Sequence, residues 1–465
     1  MRESAVCKAA DFLLIISAKN LKKAILSVII ALIFYTEVYM AVYYIDPICG
    51  LDENDGLTES TPKKDYTKIK VKSGDSLLFK CGSFFRGALK NVYNNLGDVI
   101  TYSSYGKGEK PTFCGSVDTL SNAECWTEER KNIWVTENVE DEVCNFIFDG
   151  GKECGTLRWS VEEMCEQGDY YDNCFGTRSI GRSIPDGHKI YMYSEKNPAE
   201  YYDDIEAAIY GGRWLAATGN NLVFENLRFI NSGVHGIAGG GARNMHIKNC
   251  DFEHIGGCVW NAERKIRFGN GVEFWNIAEN VSVTNCRFYE IYDSGVTHQG
   301  GAECQPAVNL HFENNIFIKC GMGAYEQRDL MPKYATFNNN VCLLAGEGFS
   351  KQGEEQLPRM SEVWPLPMGH HVFIWRIMKP TDGGKLEIKN NIFSGAPIGA
   401  SIYSIIYRSA EAQTELEGNI YCTPDEDELV NRWDGKDFKS FEEYKNAGFE
   451  KNPKSEKVDI SQYLK

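Results

Sequence analysis

The chain has 465 residues, with 49 Lys and Arg against 65 Asp and Glu, a formal net charge of −16 and 12% aromatic residues. This acidic surplus argues against a nucleic-acid partner, because neutralising phosphates needs a basic face. With 43% apolar and 25% charged residues, neither a disordered chain nor a polytopic membrane protein fits, and the length suits two or three domains or one long repeat.

Residues 20–45, NLKKAILSVIIALIFYTEVYMAVYYI, place Lys22 and Lys23 before an apolar run from Ala24 to Tyr35. A basic flank and a run short for a bilayer span predict that 1–41 is a secretory signal peptide, with an uncleaved membrane anchor as the alternative. Without it, 44 basic and 62 acidic residues remain, a net of −18, on a secreted or cell-surface protein that is expected to be a monomer. Residues 42–113 alternate like strands and turns and are expected to form the first coils. Residues 114–215 carry six of the sixteen cysteines without a clear period. They read as an irregular excursion, and the cysteines between Cys114 and Cys174 are candidates for disulfides. No Cys or His spacing matches a zinc site, so no metal is expected.

From residue 224 onward one pattern recurs seven times: FENLRF at 224, IKNCDF at 247, VTNCRF at 283, FENNIF at 312, FNNNVC at 337, IKNNIF at 388 and LEGNIY at 416. Its third position is Asn226, Asn249, Asn285, Asn314, Asn339 and Asn390, then Gly418, at intervals of 23, 36, 29, 25, 51 and 28. A unit this short cannot bury its apolar face alone and must stack on its neighbours. The Val, Ile and Phe content, broken by Gly, predicts an all-β chain, a single-stranded right-handed parallel β-helix over 42–424. Asn suits the tight turns because it tolerates left-handed backbone and its side chain can bond to the next coil. Cys250 and Cys286 share one repeat position and read as stacked small apolar residues, not a bridge.

A second column follows each motif: GVHG at 233, GVEF at 271, GVTH at 295, GAYE at 323, HVFIW at 371 and GASI at 399. The two long intervals come from extra residues at about 257–270 and 346–370, which fall at one turn and so emerge on one edge. Strand alternation predicts Val234, Val272, Val296, Ala324 and Ala400 inward, and His235, Glu273, Thr297, Tyr325 and Ser401 outward, as a ladder walled by the two insertions. At 425–465 a C-terminal cap is expected, with a short helix at SFEEYKNAG, where Ser440 and Glu443 occupy capping-box positions and Gly448 a stop.

The opening YYIDPICGLDENDGLTESTP, the segment SGDSLLFKCGSFFRG and the Asn-column repeats together resemble the pectate-lyase-like superfamily of right-handed parallel β-helix proteins, especially its secreted bacterial carbohydrate-active members. The resemblance covers residues 42–422. It implies the fold and a polysaccharide or oligosaccharide ligand, while the reaction stays open, since the superfamily holds lyases, hydrolases, epimerases and adhesins. The Asn-Thr-Asp, Asp-Asp and Gly-His-Gly set of polygalacturonases is missing here.

The densest polar stretch is FGNGVEFW at 268–275 with YEIYDSGVTHQGG at 289–301 one coil later. Glu273 lies beside Phe274 and Trp275, aromatic neighbours that would desolvate it as a general acid requires. Asp293 sits in the adjacent coil, and two carboxylates facing one cleft are the minimum for glycoside hydrolysis. Glu326 is a substitute carboxylate. His235, His298, Gln299, Tyr325, Arg328 and Arg376 are candidate sugar-binding residues, with His298 also readable as an inward core histidine. Trp260 and Trp364, in the insertions, and Trp375 are candidate aromatic walls for sugar rings, as is Trp275. The pattern therefore favours a glycoside hydrolase on a neutral glycan, needing no cofactor. The alternatives are a polysaccharide lyase, with Lys351, Arg328, Arg376 or Arg408 as base or clamp and calcium as a possible aid, and a non-catalytic glycan-binding or surface β-helix. A chain at −18 repels a polyanion unless its cleft is locally basic, which disfavours the lyase.

Overall fold

The computed structural model describes residues 40–464, apart from 91, 93–96, 302–303, 352–367, 397–399, 403–407, 423–429 and 434–435. The segment expected to be a signal peptide or anchor thus lies almost wholly outside the described residues. No helix among the described residues is long and apolar enough to cross a membrane.

Residues 42–465 form one unit in which each full coil contributes three strand columns. The first holds Trp214–Ala217, the opening of His235–Lys248 and of Val272–Thr284, then Ser294–Gln299, Gly323–Leu330 and His370–Lys379. The second holds Asn220–Glu225, the latter parts of the two long strands, Val308–Glu313, Tyr334–Asn338, Leu386–Lys389 and Thr414–Glu417. These two columns merge into one sheet of eighteen strands among the described residues, while the third column, from Phe84–Arg86 to Lys454–Ser455, is a separate sheet of ten. Neighbouring coils pair in parallel throughout the columns, for example Val283 with Phe312 and Phe288 with Phe317.

The motif's asparagines sit where the second column turns into the third. Asn226, Asn249, Asn285, Asn314, Asn339 and Asn390 all have φ between 49° and 58°, and Gly418 has 67°, the left-handed conformation that Asn and Gly reach at least cost. The hydrogen-bonded ladder lies chiefly one residue further on. Asn315, Asn340, Asn391 and Asn419 are buried, and the Oδ1 of each successive member accepts both the backbone N–H and the Nδ2 of its predecessor at 2.8–3.2 Å. Cys286 leads into it by donating its backbone N–H to Asn315 Oδ1, and Cys250 donates its own to Cys286 Sγ at 3.4 Å. Both cysteines are free, stacked and buried, as their shared repeat position implied. Along the third column, Phe85, Phe113, Phe229, Phe252, Phe288 and Phe317 stack ring on ring at 4.7–5.8 Å. That spacing is set by the strand separation of about 4.8 Å.

Three expectations change. Residues 114–215 are not irregular. They build a four-stranded sheet from Ser116–Val117, Val143–Phe148, Glu153–Cys154 and Ile205–Ile209, and a five-stranded sheet from five further segments. A core of their own, including Trp126, Phe146, Phe148, Tyr170 and Met192, holds them together. Antiparallel hairpins with unequal loops have no fixed period, which is why no repeat was legible there. The fifteen described cysteines, those between Cys114 and Cys174 included, are free thiols. Finally, the solenoid does not stop at 424: Glu450–Lys451 and Lys454–Ser455 pair with the strands at 416 and 420 and continue the coil within the cap. The cap's helix, Phe441–Ala447, has the expected ends, with Ser440 Oγ accepting from the Glu443 N–H and Gly448 at φ 74°. Its Tyr444 and the coil's Tyr421 both donate to Glu450 Oε2, and Glu450 Oε1 terminates the Asn ladder by accepting from Asn419.

Candidate functional site

The excursion leaves after Thr112–Cys114 in the third column and returns at Trp214–Ala217 in the first. The insertions near 257–270 and 346–370 also connect the third column to the first. The excursion and the 257–270 insertion, with the described ends of the other, therefore leave the coils at one edge, and the first column's outer face becomes the floor of a pocket of about 720 Å³.

Register decides what lies on that floor. Ile237, Val272, Val296, Tyr325 and Val372 form one row, and Ala238, Glu273, Thr297, Glu326 and Phe373 the next. The first row is buried in the main core. Tyr325 therefore points inward, where its hydroxyl donates to Gln327 Oε1, and Glu326 takes the outward place expected for Tyr325. Gly323 pairs with Ser294, so Ala324, not Gly323, takes the place of Gly295, and reading the strand one residue out of register exchanges its two faces. The GVHG segment is displaced too: Gly236, not Gly233, stacks over Gly271 and Gly295. A Cβ at Gly236 would meet Gly271 O at 2.5 Å and the Phe252 ring at 2.8 Å, and one at Gly271 would meet Gly295 O and the Phe288 ring. His235 thus precedes the Glu273 row by three residues and faces the pocket from beside Asn270. His298 is inward and fully buried, with Nε2 against Asn276 O and Nδ1 against Gln327 Nε2, so it does not line the pocket.

Ten of the thirteen residues expected from the sequence meet at the pocket: Glu273, Asp293, Glu326, His235, Trp260, Trp275, Gln299, Arg328, Trp375 and Arg376. Trp364 lies outside the described residues, as do the side chains of Lys351 and Arg408. Trp260, on the hairpin Cys258–Asn261 and Ile266–Phe268, and Trp275 are each more than a third exposed. Phe274 turns into the core, so of the two aromatic neighbours of Glu273 only Trp275 reaches the site.

The three carboxylates sit in different settings. Glu273 Oε2 accepts from Asn270 Nδ2 at 2.7 Å, and no described side chain donates to its Oε1. Asn270 is itself fixed by accepting the Ser294 N–H on Oδ1. His235 Nδ1 lies 3.5 Å from Glu273 Oε2, but that nitrogen already accepts the Asn270 N–H at 3.1 Å. The ring is therefore neutral with its proton on Nε2, in line with the burial that lowers its pKa. Asp293 Oδ2 accepts the Gly269 N–H at 3.0 Å. Glu326 is the most deeply placed. Oε1 accepts from Trp375 Nε1 at 2.6 Å and Oε2 from Thr297 Oγ1 at 3.0 Å, with Arg328 3.9 Å away. Burial raises its pKa and the negative charge of Asp293 adds to the rise, against the opposing pull of Arg328, Trp375 and Thr297.

Sequence reasoning missed Asn270, Thr297 as a partner of Glu326, and the arginines Arg213 and Arg267, which also line the pocket. Arg267 is spent on the carbonyls of Gly257 and Cys144. Arg328 and Arg376 flank Asp329 at 3.6 and 3.4 Å, a buried carboxylate that also accepts two backbone N–H groups. Asn270 was visible inside FGNGVEFW; the arginines carried no signal, because their neighbours come from distant coils.

Residues 209–349 match the family model described as a right handed beta helix region. None of the curated proteins matches the chain in sequence. Among solved structures, the chain is similar to that of XylC in complex with xylose, at 12% identity and a TM-score of 0.50, over 84% of this chain and 62% of that one. It is also similar to the GH136 lacto-N-biosidase from Eubacterium ramulus (13% identity, TM-score 0.41, 90% and 68% of the two chains) and to pectate lyase Pel9A (13%, 0.37, 82% and 79%). The chain thus spans less than two thirds of the XylC chain. Three strand columns per coil, the buried turn ladder and the matched region make this chain a right-handed parallel β-helix protein.

Proposed function

We propose that the protein is a carbohydrate-active enzyme, a glycoside hydrolase that uses the carboxylates of this pocket. The observation that carries the reading is the convergence of Glu273, Asp293 and Glu326 from three consecutive coils on one aromatic-walled cavity, with a raised pKa at Glu326. A general acid must hold its proton near neutrality, and burial beside a second carboxylate is how proteins arrange this. Glu326 therefore protonates the glycosidic oxygen, and the Thr297 hydroxyl can exchange donor for acceptor when Oε2 carries the proton. Glu273, oriented by Asn270 and with Oε1 open to the cavity, is the nucleophile or the base that activates water. Burial, with a smaller contribution from Asp293, keeps Glu326 protonated. Trp260, Trp275 and Trp375 offer apolar faces to the C–H surfaces of sugar rings.

Glu273 and Glu326 stand two coils apart in one row, about 10 Å between backbones at the strand spacing of about 4.8 Å. That leaves room for a water between the carboxyl groups and favours inversion at the anomeric carbon, since inverting pairs are about 6.5–9.5 Å apart. The deciding experiment is a panel of neutral and acidic glycans assayed for reducing ends and for unsaturated product together, with the anomer of the first product read by NMR. Reducing ends lost in Glu326→Gln and Glu273→Gln support the assignment; activity retained in both overturns it.

One observation favours the lyase as a second reading: four arginines, Arg213, Arg267, Arg328 and Arg376, line the pocket. The cleft is therefore far less negative than the chain, which weakens the charge argument against a uronate polymer. Three of the four are tied to carbonyls or carboxylates, so only Arg213, whose guanidinium lies over the Trp214 ring, is available to a substrate carboxylate without breaking a described hydrogen bond or ion pair. Unsaturated product in the same assay would move the assignment to β-elimination.

A further inference from the structure

The excursion holds a side-chain cluster that the pocket does not use. Asp172 ends the strand Asp169–Asp172, Cys174 follows two residues later, and His188 immediately precedes the returning segment whose strand Ile190–Tyr193 pairs with it. One ligand-type atom from each of the three lies within 4.8 Å of the others. Asp172 and Cys174 are buried, and His188 is nearly so.

Hydrogen bonding makes the arrangement unusual. His188 Nδ1 is 3.1 Å from the carbonyl oxygen of Val139, which can only accept, so Nδ1 carries a proton. Nε2 then faces Asp172 Oδ1 at 3.0 Å. Two lone pairs cannot sit there unless a second ring proton or a metal cation lies between them. The carboxyl group is held in place by the Val143 N–H on Oδ2 and the Cys174 N–H on Oδ1. A ring anchored through Nδ1 to a carbonyl, with Nε2 aimed at an acidic ligand, is the orientation that metal-binding histidines adopt.

We propose that Asp172 Oδ1, Cys174 Sγ and His188 Nε2 bind one zinc ion, or a like borderline divalent cation, with water as the fourth ligand. Zinc bonds of about 2.0–2.3 Å place tetrahedral ligand atoms about 3.3–3.6 Å apart, so Nε2 and Oδ1, now 3.0 Å apart, open slightly as the ion enters, and small shifts bring all three atoms, already within 4.8 Å of one another, into the shell. The balance closes: the dication enters, the protons on Nε2 and on the thiol leave, and the site's net charge is unchanged. Sequence spacing concealed the site, because one ligand is an aspartate and the histidine comes fourteen residues after the cysteine. The ion would clasp the 173–189 loop, whose Ser179 Oγ donates to Val259 O at 2.7 Å and lies 3.2 Å from Trp260 O. It would thus stiffen the support of a pocket wall from outside the pocket.

The test uses the full chain, stripped with chelator and titrated with cobalt(II) as the probe. One equivalent should bind with a thiolate-to-metal charge-transfer band in the near ultraviolet. Cys174→Ser should lose that band, and His188→Gln should keep it while weakening affinity by more than about 10-fold, since a direct ligand counts for at least as much as an outer-shell partner. Zinc should raise the melting temperature of the wild type and not that of Cys174→Ser. An absent band in the wild type, or the same band and stoichiometry in Cys174→Ser, overturns the proposal. Should Cys174→Ser not fold, unchanged cobalt affinity in His188→Gln overturns it equally. None of these readouts depends on glycan cleavage.

Discussion

Each coil buries polar side chains at two places, and it treats them in opposite ways. At the Asn turn, Asn315, Asn340, Asn391 and Asn419 give and receive hydrogen bonds from the coils on either side until Glu450 ends the series. At the first column's outer face, Glu273, Asp293 and Glu326 are almost as buried, yet they converge on open space. A buried polar group satisfied by its own neighbours specifies architecture, because removing it orphans them. A buried polar group that faces a cavity, held from behind by Asn270 or Trp375, is left with an open side, which the proposed function assigns to a ligand.

The largest effect that would break this contrast is expected at the floor of the pocket. Glu326→Gln preserves shape and the Thr297 contact but removes the transferable proton, so kcat should fall by about 10²–10⁴-fold with little change in the denaturation midpoint. Steady-state kinetics and a urea titration on one preparation check both halves. Loss of stability without loss of turnover would place Glu326 with the ladder instead.

At the other end of the coil the order reverses. Asn391→Ala removes the acceptor of both Asn340 donors and the donor to Phe337 O and Asn419 Oδ1. Leaving several buried groups unpaired at about 1–3 kcal/mol each puts the cost near 3–5 kcal/mol. Denaturant unfolding should show it, while kcat of the folded fraction stays unchanged.

The pH dependence sharpens the same contrast. Burial first, and Asp293 second, raise the Glu326 pKa above that of the unfolded chain. The folded state therefore binds this proton more tightly. The associated stability is fully present below the unfolded value, near 4.3 for a free Glu, and is lost as pH rises through the folded value. Glu326→Gln should abolish that loss, so the stability of the variant falls less steeply with pH over this window. Activity gives a second readout: the basic limb of kcat/KM belongs to the protonated acid, and Asp293→Asn, by removing a negative neighbour, should move that limb to lower pH.

What the sequence made legible follows from periodicity. The left-handed asparagines and the shared edge of the insertions recur, so counting found them. Where counting used the wrong reference it failed. Gly295 lies seven residues after Phe288 and Ala324 seven after Phe317, so Ala324, not Gly323, occupies the glycine column. Aligning on glycine identity therefore turned Tyr325 outward, into the place that Glu326 holds. The excursion, Asn270's grip on Glu273 and the Arg328–Asp329–Arg376 cluster were out of reach, because they depend on contacts across unequal loops. Ten of the candidate site residues still met, since a solenoid brings one face of each coil to the same edge whatever the local offset.

The smallest expected effect lies on the pocket wall. Trp260 is 46% exposed on a hairpin whose other face packs against the excursion through Val259 and Ser179. Its own ring adds little to the core, so Trp260→Ala should leave the melting temperature nearly unchanged. A sugar ring stacked on it would lose about 1–2 kcal/mol of binding, roughly a tenfold rise in KM with kcat held within a few-fold. A fall in kcat alone would mean that the wall positions the reacting bond. An unchanged KM would mean that the glycan enters from the opposite side of the cavity, across Trp375 and Arg376.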